Sequence, residues 1–232
     1  AERAERLGAV AAMLQLVFNE GYSAAAEPER APLADEAIRL MRLLLRMFPA
    51  EPELMGLLAL MLLQHSRAAA RFGAAGEAIL LDDQDRSRWN TRLIHEGLAL
   101  IDKAMRHRAP GAYQVQAAIA ALHARASTPA DTDWAQIDLL YGTLERLTPS
   151  PVVTLNRAVA VSKVRGPEPA LAMVEPLGER LAGYFHFHGL RGGLLLQLGR
   201  PQEARAAFDR AIALATTAAE AAHIRMHLDR LR

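Results

Sequence analysis

Gly166 and Gly199 stand 33 residues apart, and each follows one apolar-periodic segment and precedes another. A fixed interval of that size between helix-ending residues restricts the chain to stacked helical pairs, because one pair cannot bury its apolar face alone. The clearest copy runs from Gly183 to Ala215, where Gly192, Gly199, Ala204, Phe208 and Ala211 supply small and aromatic residues at helical spacing. Small residues let paired helices cross closely. The stretch from Ala218 to Arg232 then reads as a capping helix over the last pair.

The interval is that of a tetratricopeptide-like hairpin, typically ~34 residues. The expected fold is therefore all-α, with antiparallel helical hairpins stacked as a tetratricopeptide-like right-handed superhelix. Alanine and leucine dominate, aromatic residues make up 5%, and β-branched residues are few outside Val152 to Val161, a composition that favours helices. Residues 1–79 are expected as an N-terminal helical bundle part and 80–232 as the repeats with their cap, the two forming one continuous domain.

Charge and residue usage exclude several function classes. The formal net charge is +1 with acids and bases interspersed, so no electrostatic footprint for DNA stands out. The chain has no cysteine, which removes disulfides, thiolate metal sites and cysteine nucleophiles. The apolar run Leu54 to Leu63 is far short of the roughly 18 residues a membrane span needs. The start, Ala1-Glu2-Arg3-Ala4-Glu5-Arg6, lacks a signal-peptide core and resembles the middle of a helix, so a fragment of a longer, cytoplasmic protein is expected. His186-Phe187-His188 places its rings about 200° apart on a helix, unsuited to one metal. With no glycine-rich phosphate loop, nucleophile elbow or His-Glu-x-x-His, neither an enzyme nor a cofactor or metal is expected.

In chain order, Leu7, Val10, Leu14 and Val17 mark a first helix ending near Gly21, followed by a loop around Glu27 to Pro32. A second helix spans Leu33 to Phe48. Pro52 opens a third, apolar all round from Leu54 to Leu63, whose polar continuation carries Gln64, His65, Arg67 and Arg71 on the same helix. The charged stretch Leu80 to Trp89 is a hinge. Asp85 or Ser87 caps the next helix there, or Asp82, Asp83 and Asp85 pair with distant arginines such as Arg67 and Arg71.

Trp89, Leu93, Gly97, Leu100 and Ala104 mark the fourth helix, which Ala109-Pro110-Gly111 breaks. The fifth, Ala112 to Ala126, sets Tyr113, Gln116, Ala120 and His123 on one face, as a groove floor or a tight helix contact. Asp131 to Asp133 caps a sixth helix striped by Trp134, Ile137, Tyr141 and Leu144. Ser150 caps a seventh, in which Asn156 is expected to project an amide from an apolar face and, with Arg157, to join an interhelical network or contact a ligand.

Four pieces, Phe-Asn-Glu-Gly-Tyr at 18–22, Leu-Asp-Asp-Gln-Asp-Arg-Ser-Arg-Trp at 81–89, Tyr-Gln-Val-Gln-Ala-Ala-Ile-Ala-Ala at 113–121 and Asn-Arg-Ala-Val-Ala at 156–160, carry a resemblance that covers nearly the whole chain. Together they resemble the tetratricopeptide-like C-terminal extension of a group of extracytoplasmic-function (ECF) sigma factors of bacterial RNA polymerase. The resemblance implies transcription initiation, with this part modulating upstream sigma modules that this chain lacks. It implies as partners the protein's own sigma modules or RNA polymerase, and a small DGPF-type protein, with no direct DNA binding and no membrane. A generic peptide-binding scaffold with a small-molecule sensing groove is the alternative. The polar islands expected to form one groove or structural network are Asn19, Glu20 and Tyr22; His65, Arg67 and Arg71; Asp85, Arg86 and Trp89; Tyr113, Gln116 and His123; and Asp133, Trp134, Asn156 and Arg157.

Overall fold

The computed structural model describes residues 2–23, 32–73 and 77–229. Among them every regular element is an α-helix or a 3-10 turn, and the helical repeat architecture expected from the sequence is present. The eleven helices are α1 (Glu2–Ser23), α2 (Pro32–Met47), α3 (Pro52–His65), α4 (Thr91–Met105), α5 (Ala112–Arg125), α6 (Trp134–Leu147), α7 (Pro151–Arg165), α8 (Pro167–Val174), α9 (Phe185–Gln197), α10 (Pro201–Leu214) and α11 (Ala218–Asp229). Five of them begin at a proline, which loses nothing at the first helical position because the missing N–H would have had no partner there. The loop expected from Glu27 lies outside the described residues up to Pro32.

The chain forms two compact units, one of Ala1–Phe72 with Ile79–Thr132 and the other of Gly73–Ala78 with Asp133–Arg232. Apart from the short segment Gly73–Ala78, the division falls between Thr132 and Asp133.

In the first unit α3 is the central element. Every residue from Leu54 to Leu63 is buried, as an all-round apolar helix requires. One side packs with Ala11, Leu14 and Phe18 of α1 and Ala37, Ile38 and Met41 of α2, the other with Ile101, Ala117 and Ala121 of α4 and α5. As expected α1 ends near Gly21, at Ser23, and Gly21 is buried within its last turn. It lies against α2, where a Cβ would come within 2.3 Å of Ala34 N. Gly56 does the same for α5, since a Cβ there would meet Gln114 N at 2.6 Å.

The start of α5 has a cap from elsewhere. Gly111 precedes it and has no side chain to offer, so the carboxylate of Glu53 in α3 accepts from Tyr113 N at 3.1 Å, Gln114 N at 3.2 Å and Gln114 Nε2 at 3.0 Å. A carboxylate at a helix N-terminus satisfies free amides and complements the helix dipole. Arg42 of α2 and Glu96 of α4 add a two-pronged ion pair at 2.8 and 2.7 Å.

The second unit contains the expected repeat. Gly166 (φ 89°) and Gly199 (φ 68°) both occupy the left-handed region, where a side chain is strained, and both turn the chain into a helix that opens on proline. Gly192 of α9 and Phe208 of α10 mark a close crossing, as a Cβ on Gly192 would lie 2.5 Å from Phe208 Cε1. Ile224 of α11 is buried in the same core, so the last helix covers the final pair as expected. Residues 230–232 of that predicted cap lie outside the described ones.

Candidate functional site

A cluster of cations and aromatic rings gathers in the first unit where α1, α3 and α5 end. Phe18 and Tyr22, one turn apart on α1, stack with ring centroids 5.4 Å apart. Arg71 lies over the Tyr22 ring with Cζ 3.5 Å from its centroid and also donates to Tyr22 O. Arg67 Nη2 donates to Tyr22 Oη at 3.0 Å, and its guanidinium is 5.9 Å from the Trp89 ring. Arg86 approaches that ring to 4.5 Å, while its Nη1 donates to His123 O at 2.6 Å and Ala126 O at 2.9 Å at the end of α5.

Local geometry explains how these side chains come to face one another. The helix expected to continue from Leu63 through Arg71 stops at His65, and residues Ala68–Ala70 form a separate 3-10 turn. Ser66 is buried, its hydroxyl donates to Leu63 O at 2.7 Å, and its carbonyl accepts Asn90 N at 2.8 Å. The break sends Arg67 and Arg71 toward α1 rather than along one helical face. Both engage Tyr22.

Asp85 is a local cap, accepting from Ser87 N at 3.0 Å and Ser87 Oγ at 2.6 Å, and it initiates the 3-10 turn Arg86–Arg88. The Ser87 hydroxyl holds Asp85 below the usual carboxylate range. The cap of α4 is Asn90, which accepts from Leu93 N at 3.2 Å. An asparagine immediately before a threonine-led helix was a legible signal.

The other expected residues are distributed as follows. His65 pairs with Asp35 of α2 at 2.9 Å and meets Phe18 edge-on. Asn19 and Glu20 are exposed at the end of α1. Tyr113 and Gln116 are half-buried on α5. Asp133 caps α6 by accepting from Gln136 N at 2.9 Å, and Trp134 lies 5.5 Å from Lys163 Nζ.

In the second unit Arg157 bridges Asp138 at 2.7 Å and Glu145 at 2.6 Å, and Arg165 reaches the other oxygen of Asp138 at 2.5 Å. Burial pushes the Asp138 carboxyl up, but the Arg157 and Arg165 hydrogen bonds outweigh it and hold the group below its ordinary value. Asn156 takes a different position from the one expected: it is exposed, because the buried stripe of α7 runs through Leu155, Ala158 and Val161 and passes to one side of it.

Residues 6–105 match a family of unknown function, DUF6596. The match covers Tyr22, Arg67, Arg71, Arg86 and Trp89 and stops before α5. The chain is 74% identical over 232 residues to an uncharacterized protein of Rhizobium meliloti (strain 1021), covering 99% of this chain and 55% of that protein. It therefore spans about half the length of this curated relative. Among solved structures it is similar to a thermophilic TPR protein of Thermus thermophilus, with a TM-score of 0.54 and 17% identity over 92% of this chain and 98% of that one. That likeness establishes the fold. A mutant of MamA aligns with a TM-score of 0.49 and 13% identity over 88% of this chain and 98% of that one.

His123 gives the cluster a pH dependence. Burial, then the neighbouring Arg67 and Arg86 cations, lower its pKa from 6.5 to about 4, with Asp82 opposing. On acidification the unfolded chain binds this proton first, so the stability linked to the neutral ring is complete above pH 6.5 and is lost toward pH 4. The loss expected across that window is at most about 3 kcal/mol. Urea unfolding of the wild type and of His123→Gln at several pH values checks it: the substitution should flatten the slope.

Proposed function

We propose that this chain is a protein-binding regulatory module, the C-terminal extension of an ECF-type sigma factor, which modulates transcription initiation through contacts with its own sigma modules, RNA polymerase or a small DGPF-type protein. It acts in the cytoplasm by binding rather than by catalysis. The observation that carries this reading is that two of the four resembling pieces converge. Phe-Asn-Glu-Gly-Tyr supplies Phe18 and Tyr22, and Leu-Asp-Asp-Gln-Asp-Arg-Ser-Arg-Trp supplies Arg86 and Trp89, with Arg67 contacting both Tyr22 and the Trp89 ring. The curated relative extends well beyond the matched region, which leaves length for additional modules.

A promoter reporter tests the proposal by comparing the intact longer protein with a version lacking residues 1–232 and with Arg67→Glu, sigma-module abundance being monitored in each. Deletion is expected to change output several-fold, and Arg67→Glu to move it in the same direction. Unchanged output with normal protein levels would sink the regulatory reading. The helical repeat fold favours a second reading, a general peptide-binding scaffold. Recovery of acidic client peptides without sigma modules or polymerase in affinity capture would favour that alternative.

A further inference from the structure

Arg86 stands on a 3-10 turn, and one edge of its guanidinium is already committed. Nη1 donates to both His123 O and Ala126 O, which fixes the plane against the end of α5. The opposite edge, Nε and Nη2, is buried and has no hydrogen-bond partner. The indole Nε1 of Trp89 is likewise buried and unpartnered, in a residue only 5% exposed whose ring centroid is 4.5 Å from Arg86 Cζ. A buried donor left without an acceptor is costly, the more so when it carries charge. Several such donors around one guanidinium mark a place where an acceptor belongs.

The surrounding charge indicates the kind of acceptor. Arg67 brings a second guanidinium to the Trp89 ring. Asp82 and Asp131 act on Arg86 electrostatically, but the Asp131 carboxylate is engaged by Thr128 N and Thr128 Oγ1, each at 2.9 Å. The Nε–Nη2 edge is a planar two-donor fork, the geometry that meets a carboxylate through parallel hydrogen bonds. Because a 3-10 turn rather than a long helix carries Arg86, admitting a ligand disturbs few backbone hydrogen bonds.

We propose that Arg86, Arg67 and Trp89 form a carboxylate-binding site, in which the free edge of Arg86 holds both oxygens and the Trp89 indole N–H adds a third donor. The carboxylate belongs either to a small organic acid or to an acidic side chain of a protein segment. This inference does not rest on the transcription reading.

The chain has two tryptophans, so Trp134→Phe leaves Trp89 as the lone indole reporter. Sodium malonate, a short oligoglutamate peptide and inorganic phosphate are titrated into that variant at pH 7, with sodium chloride holding ionic strength constant. Emission and thermal midpoint are read together. A saturable emission change and a raised midpoint are expected with malonate, the peptide or both, and the preferred probe identifies the source of the carboxylate.

Arg86→Lys should weaken binding at least about tenfold, the scale of one charged hydrogen bond. Arg86→Gln should abolish it. Because Arg86→Gln also releases the end of α5, Trp89→Phe in the otherwise native chain provides a second check, keeping a ring but removing the N–H. Its midpoint shift with the same probe should shrink. A response equal to that of sodium chloride, one that persists in a folded Arg86→Gln, or tighter binding of phosphate than of either carboxylate would overturn the assignment.

Discussion

Phe208→Ala is expected to destabilise the second unit by about 3–5 kcal/mol, the range for removing a fully buried aromatic side chain. Phe208 is 1% exposed and packs into the core shared by α7, α8, α9, α10 and α11. The crossing with α9 makes the site sensitive in the opposite direction as well. Gly192→Ala inserts a Cβ 2.5–3.0 Å from three atoms of the Phe208 ring, and a rigid ring cannot bend away as a flexible chain end would. That change alone should cost about 1–3 kcal/mol. Combined with Phe208→Leu it should cost less than the sum of the two, with a coupling of at least about 0.5 kcal/mol. Urea unfolding of the four proteins in the cycle measures this. Strict additivity would mean that the two helices do not meet at these residues.

Gly56→Ala should destabilise the first unit by about 2–3 kcal/mol, even though alanine is the better helix former by about 1 kcal/mol. The added carbon would meet Gln114 N at 2.6 Å and Gln114 Cα at 2.9 Å, which are backbone atoms of α5. Relief therefore requires α5 to move off α3, and that movement would pull Tyr113 N and Gln114 N away from Glu53. Gly8→Ala is the matched control, since a Cβ there meets nothing within 4 Å. On α1 it should stabilise by about 0.5–1 kcal/mol. Thermal unfolding that shifts in the same direction for both variants would contradict the close approach at Gly56.

Most helix boundaries were legible because local chemistry determines them. Pro52, Pro151 and Ser150 are the positions at which helices begin, and Asp133 caps the helix that Trp134 opens. The periodic glycines Gly166 and Gly199 identified the repeat for the same reason, each needing a backbone conformation that other residues avoid. What escaped a local reading depends on distant partners. Nothing in Gln64-His65-Ser66-Arg67 signals that the helix stops, because the stop accompanies a contact between Ser66 O and Asn90 N. Arg67 and Arg71, once released from a common face, both meet Tyr22. Asn156 shows the finer limit: a rotation of one residue about α7 moves an amide from the core to the surface.

The Glu53 contact has a consequence for the order of assembly. The first turn of α5 depends on an acceptor roughly sixty positions upstream, so that turn remains frayed until α3 is in place beside it. During synthesis from the N-terminus, α3 emerges first and acts as a template on which the later helix is completed. A circularly permuted chain that places α5 ahead of α3 would have to close that loop in reverse, and it should refold more slowly even if its final structure were unchanged.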